Sequence, residues 1–387
     1  MVFMSGCFSS KNNNIPVNGL EYFPASYQTA RINFLKAAEN ADTHESFPVF
    51  KDLTMDLAVY HVENRETLLV LCSGTHGIEG YAGHAAQRLF MDNFQSHLKS
   101  STGLLLIHAV NPFGFHYRRR VNENNVDLNR TFIIQHETAQ NTDNKKLEAI
   151  FSDIYQFLTP QRPLKNVSFS TFSYYTQLIL KGLRYGITPM KNAIAGGQYQ
   201  YPDSLFYGGN NSETSKEKSE KIIETVLKKH TAGYKNMVLI DIHTGTGKSG
   251  ALYLTHHGQD SKAFRKLKKI IPELESNSIN TNFQNKTYSY KTNGTFIEYA
   301  DRISAAADNY CLVIDLCTGV HALTLLNLMI RENQIYKYPQ TPAKIKNNIL
   351  KKFSEAYYPT SIKKRNEMLN TCYRFFQEIG NDFHLFK

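Results

Sequence analysis

His76 and Glu79 stand three residues apart, and none of the other thirteen of the chain's 14 histidines is followed by a glutamate at that spacing. An imidazole nitrogen and a carboxylate oxygen are ordinary zinc ligands, and a catalytic zinc takes three protein ligands and a water. In a chain with this many histidines one such pair arises by chance, so the pair needs a partner before it means anything. The surrounding stretch, LLVLCSGTHGIEGYAGHAAQ from Leu68 to Gln87, gives it a setting. Leu68 to Cys72 reads as a buried strand, Ser73-Gly74-Thr75 as a turn, and the alanines from Tyr81 onward as a helix leaving the sheet. The carboxyl end of such a strand is where open α/β sheets place their ligands.

Other stretches offer partners. The apolar run MVLIDI, Met237 to Ile242, delivers His243 into Thr244-Gly245-Thr246-Gly247. The run CLVIDL, Cys311 to Leu316, carries Asp315, a carboxylate that is costly inside such a strand unless it is paired or functional. The polar stretch RRRVNENNVDLNRTF, Arg118 to Phe132, follows a strand and reads as a loop lining a site. Its Arg118-Arg119-Arg120 triplet, and Arg130 beside Asn129, present planar forks suited to a carboxylate. GGQYQYPDSLFYGG, Gly196 to Gly209, is a glycine-bounded aromatic loop, either a lid or a packed surface loop. His108, inside the run LLLIHAV, is expected to be a core histidine. Glu298 reads as the exposed side of a helix.

The elements that would position these groups alternate. Helix is expected at Tyr27 to Ala41, at Asn144 to Leu158 and at Phe172 to Lys181. Thr214-x-x-Glu217 resembles a capping box ahead of another. Strands are expected at Asp56 to His61, Glu66 to Cys72 and Leu104 to Val110, besides the two apolar runs. A length of 387 residues, 41% hydrophobic and 20% charged, is that of a folded globular protein with a full core. No apolar run reaches the roughly 20 residues of a membrane span. The first fourteen residues lack a basic segment followed by an apolar one, so no export signal is read. Five cysteines without CxxC make no disulfide framework, and Cys72, Cys311 and Cys317 are expected as buried thiols. These features predict a cytoplasmic protein. The net charge of +10 is spread along the chain without a nucleic-acid-binding motif, so no nucleic-acid partner is expected, and without a run of spanning length no membrane partner is expected either. A substrate carrying a carboxylate would gain from the same field.

Taken in order, SGTHGIEGYAGHAAQ, NPFGF with RRVNENNVDLNRTF, GGQYQYPDSLFYGG, LIDIHTGTG and the segment from CLVIDLCTG to MIRENQ resemble the zinc carboxypeptidase-like superfamily. This comprises the M14 metallopeptidases and their aspartoacylase-like relatives, and the motifs are similar to its DUF2817 branch in particular. The resemblance implies one zinc ion held by His76, Glu79 and His243. It implies that Asn129 and Arg130 grip a substrate carboxylate and that Arg119 or Arg120, with Arg120 favoured, polarises the scissile carbonyl. Where these families carry a general-base glutamate, this chain has Asp315, one methylene shorter. The expected fold is a three-layer α/β/α sandwich with a mixed, largely parallel sheet. It forms one domain over 1–387, with an insertion at about 135–235 and a helical extension at about 340–387. The expected activity is zinc-dependent hydrolysis of an amide or peptide bond next to a free carboxylate, on a small peptide. The alternatives are an N-acyl amino acid deacylase acting on an acylated amino acid, and a zinc-retaining binding protein whose catalysis Asp315 has weakened.

Overall fold

The computed structural model describes residues 21–132, 142–210, 215–256, 292 and 294–387. Its strands are β1 (Thr43–Phe50), β2 (Leu53–Tyr60), β3 (Thr67–Ser73), β4 (Thr102–His108), β5 (Asn236–Gly245), β6 (Leu252–His256) and β7 (Asp308–Cys317). They form one sheet in the order β1-β2-β4-β3-β5-β7-β6. The central strands β4, β3, β5 and β7 run parallel. β1 and β2 on one side, and β6 on the other, join antiparallel. Every residue of β3 and β4 is buried, which is why both read as unbroken apolar runs rather than alternating ones.

The helices are α1 (Tyr27–Ala37), α2 (Gly80–Asn93), α3 (Pro112–Tyr117), α4 (Thr142–Leu158), α5 (Val167–Tyr185), α6 (Ile187–Ala195), α7 (Lys218–Thr231), α8 (Phe296–Ile303), α9 (Ala322–Lys337), α10 (Ala343–Tyr357) and α11 (Ile362–Asp382). Phe34 of α1, Phe90 of α2 and Phe376 of α11 pack on Leu71, Leu106 and Ile240 of one sheet face. Val226 of α7 and Phe296 of α8 pack on Val70 and Leu239 of the other. This is the three-layer α/β/α sandwich with a mixed sheet. A further core, around Phe151, Tyr174 and Phe353, joins α4, α5, α6, α9 and α10 to Ile78.

Each strand expected from the sequence is present, within a few residues of its expected ends. β1 and β6 go beyond that expectation. β1 alternates between half-buried and exposed positions and carries Pro48, which an edge strand tolerates. α1 stops at Ala37, four residues early. α7 starts at Lys218 with Glu217 as its cap, and Thr214 lies outside the described residues, as does the N-terminal stretch read for an export signal. The four cysteines described are buried and unbridged.

Two features of this packing generate measurable consequences. The turn from His76 to Glu79 is clamped to the loop after α3, because Gly77 N–H donates to Arg120 O at 3.1 Å and Ile78 N–H to Arg119 O at 2.8 Å. A β-carbon on Gly77 would lie 2.1 Å from the Gly114 carbonyl carbon and 2.3 Å from Phe115 N. Only glycine lets the two backbones approach so closely. Gly77→Ala should therefore cost ~3 kcal/mol and lower the melting temperature by several degrees, as calorimetry would show.

Glu220, in the first turn of α7, is the second. It is buried and accepts a hydrogen bond from the Thr131 hydroxyl at 3.1 Å. Burial pushes its pKa from 4.5 up to about 7, against the Thr131 hydroxyl and the Lys216 charge, which pull it down. The folded protein therefore keeps a proton here that the unfolded chain releases. This group's stabilising contribution is full below about pH 4.5 and is lost as pH rises through about 7. Urea unfolding should show Glu220→Gln gaining on the parent between pH 4.5 and pH 8, by on the order of 2 kcal/mol.

Candidate metal centre

Parallel register brings the candidate ligands together. β3 pairs with β5, so the turn that follows Ser73 opens beside Ile242 and His243. The carboxyl end of β3 then delivers His76, and one 3₁₀ turn, Gly77–Glu79, folds Glu79 back beside it. His76 Nδ1 lies 3.0 Å from Glu79 Oε1, and His243 Nδ1 lies 2.8 Å from Glu79 Oε2. The two Nδ1 atoms are 2.9 Å apart. His76, Glu79 and His243 are all buried. Among the described residues they are the one group of three or more His, Cys, Asp or Glu side chains placed to share an ion.

Each histidine is held from behind by a carboxylate. His243 Nε2 lies 2.6 Å from Asp241 Oδ2, whose other oxygen accepts from the Thr75 hydroxyl at 2.8 Å. His76 Nε2 lies 3.2 Å from Asp127 Oδ1. Asp127 is fully buried, caps the 3₁₀ turn Leu128–Arg130, and accepts from Arg120 Nε at 2.9 Å. A carboxylate behind each imidazole fixes the ring so that its other nitrogen faces a ligand. The sequence reading missed both acids. Asp241 sits inside an apolar strand, the same anomaly that singled out Asp315. Asp127 lay in a loop rich in polar residues and carried no such signal.

Charge decides whether this cluster suits a cation. Glu79, Asp127, Asp241 and Asp315 are four buried carboxylates around one close guanidinium, that of Arg120. Burial alone would raise the Glu79 pKa, but His76 and His243 override it and hold the carboxyl well below its usual range. Burial likewise opposes charge on His243, and Asp241 and Glu79 override it, holding its pKa well above normal. Even with the Arg120 guanidinium and a proton on His243, the four carboxylates leave the cluster negative, which favours a divalent cation. Tetrahedral zinc with bonds of ~2.0–2.2 Å spaces its ligand atoms by roughly 3.3 Å, so outward shifts of a few tenths of an ångström suffice. The two-nitrogen, one-oxygen donor set fits zinc.

Arg120 sharpens the fit. Its Nη2 lies 2.6 Å from His76 Nε2 and its Nη1 lies 3.5 Å from Glu79 Oε1. Arg120 donates to a bare Nε2, whereas Asp127 accepts from a protonated one, so these partners require opposite tautomers. A cation on Nδ1 selects the second. The triplet diverges because Arg118, capping α3, adopts a left-handed conformation with φ of 54°. Arg118 lies over the Tyr81 ring, Arg120 turns to the cluster, and Arg119 turns away from it. The Arg119 guanidinium is buried, donates to Glu332 at 2.7 Å and stacks on Tyr336. The structure does not bring Arg119 to the site.

Asp315 is the register partner of His243, so the two side chains leave the same face of adjacent strands. Burial raises the Asp315 pKa from 3.8 to about 6; Glu79 adds to the shift, and His243 and His76 counter it. No hydrogen bond holds its carboxylate among the described residues. Glu298 pairs with Arg302 at 2.9 Å on α8.

Arg130 is buried and points toward loop 196–209, donating to the Ala195 carbonyl through Nε at 3.1 Å and Nη2 at 2.8 Å. Asn129 accepts the Phe296 N–H at 2.9 Å. Loop 196–209 is packed rather than free. Tyr199 donates to the Arg130 carbonyl, Asp127 N–H donates to Tyr207 O, and the Phe206 ring lies between 5.4 and 5.7 Å from the guanidiniums of Arg120 and Arg130. His108 is a core residue, stacked on Phe34 and 3.3 Å from His84.

Residues 23–371 match a family described as a protein of unknown function, DUF2817. The chain belongs to that family. Solved structures with similarity to it include thrombin-activatable fibrinolysis inhibitor, at 14% identity and a TM-score of 0.44, covering 86% of this chain and 74% of that one. Carboxypeptidase A from Helicoverpa armigera follows at 13% and 0.43, covering 86% and 73%. A metallo-carboxypeptidase from Pseudomonas aeruginosa gives 13% and 0.40, covering 92% and 71%. No curated protein matches the chain. Membership in DUF2817 assigns no reaction, so the chemistry rests on the side chains.

The Asp241 contact predicts a graded effect. Asp241→Asn should keep the fold but lower zinc affinity by about 10- to 100-fold, read by competition with a chelating dye.

Proposed function

We propose that this member of DUF2817 is a zinc-dependent hydrolase cleaving an amide or peptide bond next to a free carboxylate. One observation carries the reading: the convergence of His76 Nδ1, Glu79 and His243 Nδ1 to within 2.8–3.0 Å, with a carboxylate behind each ring. His76, Glu79 and His243 would hold the metal. Bound zinc supplies a Lewis acid and a water that is acidic near neutral pH. Asp315, beside His243, takes the proton of the attacking water and passes it to the leaving nitrogen. Arg120 stabilises the negative charge that develops on the carbonyl oxygen. Asn129, through its amide nitrogen, and Arg130 hold the substrate's carboxylate. Arg119 has no part in this scheme, since Glu332 already neutralises it.

The second reading, a zinc-retaining protein that binds its ligand with little turnover, draws on Asp315 itself. Its carboxylate stops one methylene short of where a glutamate would reach, and a misplacement of about 1 Å costs on the order of 10²-fold in rate.

Elemental mass spectrometry on protein purified without chelators or a metal-affinity tag is the decisive measurement. It should find close to one zinc per chain, lost in His76→Ala. No zinc, and no uptake on addition, would sink both readings. With zinc in place, a panel of free-acid peptides and N-acyl amino acids should show turnover. Asp315→Asn should lower kcat by about 10²-fold or more, and Arg130→Ala should raise KM. A large gain in Asp315→Glu would favour the binding protein.

A further inference from the structure

Among the described residues, an apolar face of α5 and α6 has no partner. Phe169, Phe172, Ile179, Leu180 and Leu183 on α5, with Ile187 opening α6, are each 60% to 80% exposed. Their spacing, in steps of three, four and seven, puts the α5 residues along one side of the helix. The opposite side holds the helix to the body: Tyr174 and Leu178 are buried, and the Tyr174 hydroxyl donates to Leu323 O at 2.8 Å. Scattered exposed apolar residues are normal, whereas a contiguous stripe marks an interaction surface.

Charge says what covers it. Residues 154–202 contain five Lys or Arg and no Asp or Glu. Arg162 and Lys165, in the segment just before α5, and Arg184 near its end are exposed. Asp153, just outside this range, answers Lys181 and Arg184 at 3.3 and 3.7 Å. A second copy docked face to face through a twofold axis would set these cations against their own kind. An anionic lipid surface complements them, and aromatic and leucine side chains rimmed by Lys and Arg are the composition of helices that lie in a bilayer interface.

We propose that α5 and α6 dock the protein onto an anionic phospholipid surface, with the Phe169–Ile187 stripe inserted among the lipids and the cations against the headgroups. No helix among the described residues is long and apolar enough to cross a membrane, so this is peripheral attachment. The sequence reading expected no membrane partner because it sought a span. The proposal stands apart from the metal site.

The chain has no tryptophan, so Phe172→Trp places a single reporter in the stripe. Its emission should shift to the blue with vesicles rich in phosphatidylserine and stay put with phosphatidylcholine alone. The full chain should sediment with the first vesicles and not the second. The paired substitution Phe172→Asp and Leu183→Asp should weaken that binding by about tenfold or more, and Arg184→Glu should weaken it measurably. Far-ultraviolet dichroism and zinc content should stay unchanged in all variants. Three results would overturn the proposal. The parent chain could ignore the anionic vesicles, or the paired substitution could bind them as the parent does. The third is a dimer in sedimentation equilibrium that the same pair dissolves, with no vesicle binding, which would assign the face to a second copy.

Discussion

Four carboxylates buried at the carboxyl ends of the parallel strands are the constraint around which this molecule is arranged. Charge of one sign in an apolar interior is unstable unless it is answered at close range. Here the answers come from His76, His243 and Arg120, each in contact with at least one acid. The strands supply the precision. Because β3, β5 and β7 are adjacent and parallel, their carboxyl ends open onto the same point, and His243 stands beside Asp315 by register alone. Glu79 needs more help. It hangs on a turn whose backbone is pinned to the loop after α3, and that loop provides Arg120 and Asp127.

Long apolar strands and the residues at their ends could be read from the sequence, because burial on both faces leaves a strong signal over six or seven residues. His243 and Asp315 stand out by their place in such runs, and His76 and Glu79 by their spacing just beyond one. What escaped was anything fixed by distant contacts. Which arginine of the triplet faces the cluster depends on the left-handed turn at Arg118 and on Glu332 more than two hundred residues away. β1 escaped because an exposed edge strand with a proline and two charged or titratable side chains resembles a loop. Asp241 could have been noticed. An aspartate two positions before a histidine in a strand shares its face, and the argument used for Asp315 applied equally.

Loop 196–209 occupies the ground between these two outcomes. Its glycines and aromatics fit either a lid or a packed surface loop, and in this structure it is packed against Arg130 and Asp127. Gly208 lies so close to Tyr199 and to the Arg130 carbonyl that a β-carbon there would approach within 2.1 Å of the Tyr199 ring. The Phe206 ring lies 5.4 Å from the Arg120 guanidinium and 5.7 Å from that of Arg130, within cation–π range of both. The aromatic content of the loop thus contributes electrostatics as well as packing.

The order of the strands has a consequence for biosynthesis. β3 lies in the middle of the sheet, yet its neighbour β5 comes from far along the chain, and 167 residues separate His76 from His243. While the ribosome is still making α4 to α7, β3 can pair only with β4. Its other edge is then a row of unpaired N–H and C=O groups on a largely apolar strand, a template for any passing strand. The polypeptide is therefore most prone to aggregate during that interval. The cluster of His76, Glu79 and His243 can assemble only once β5 emerges, 167 residues after His76.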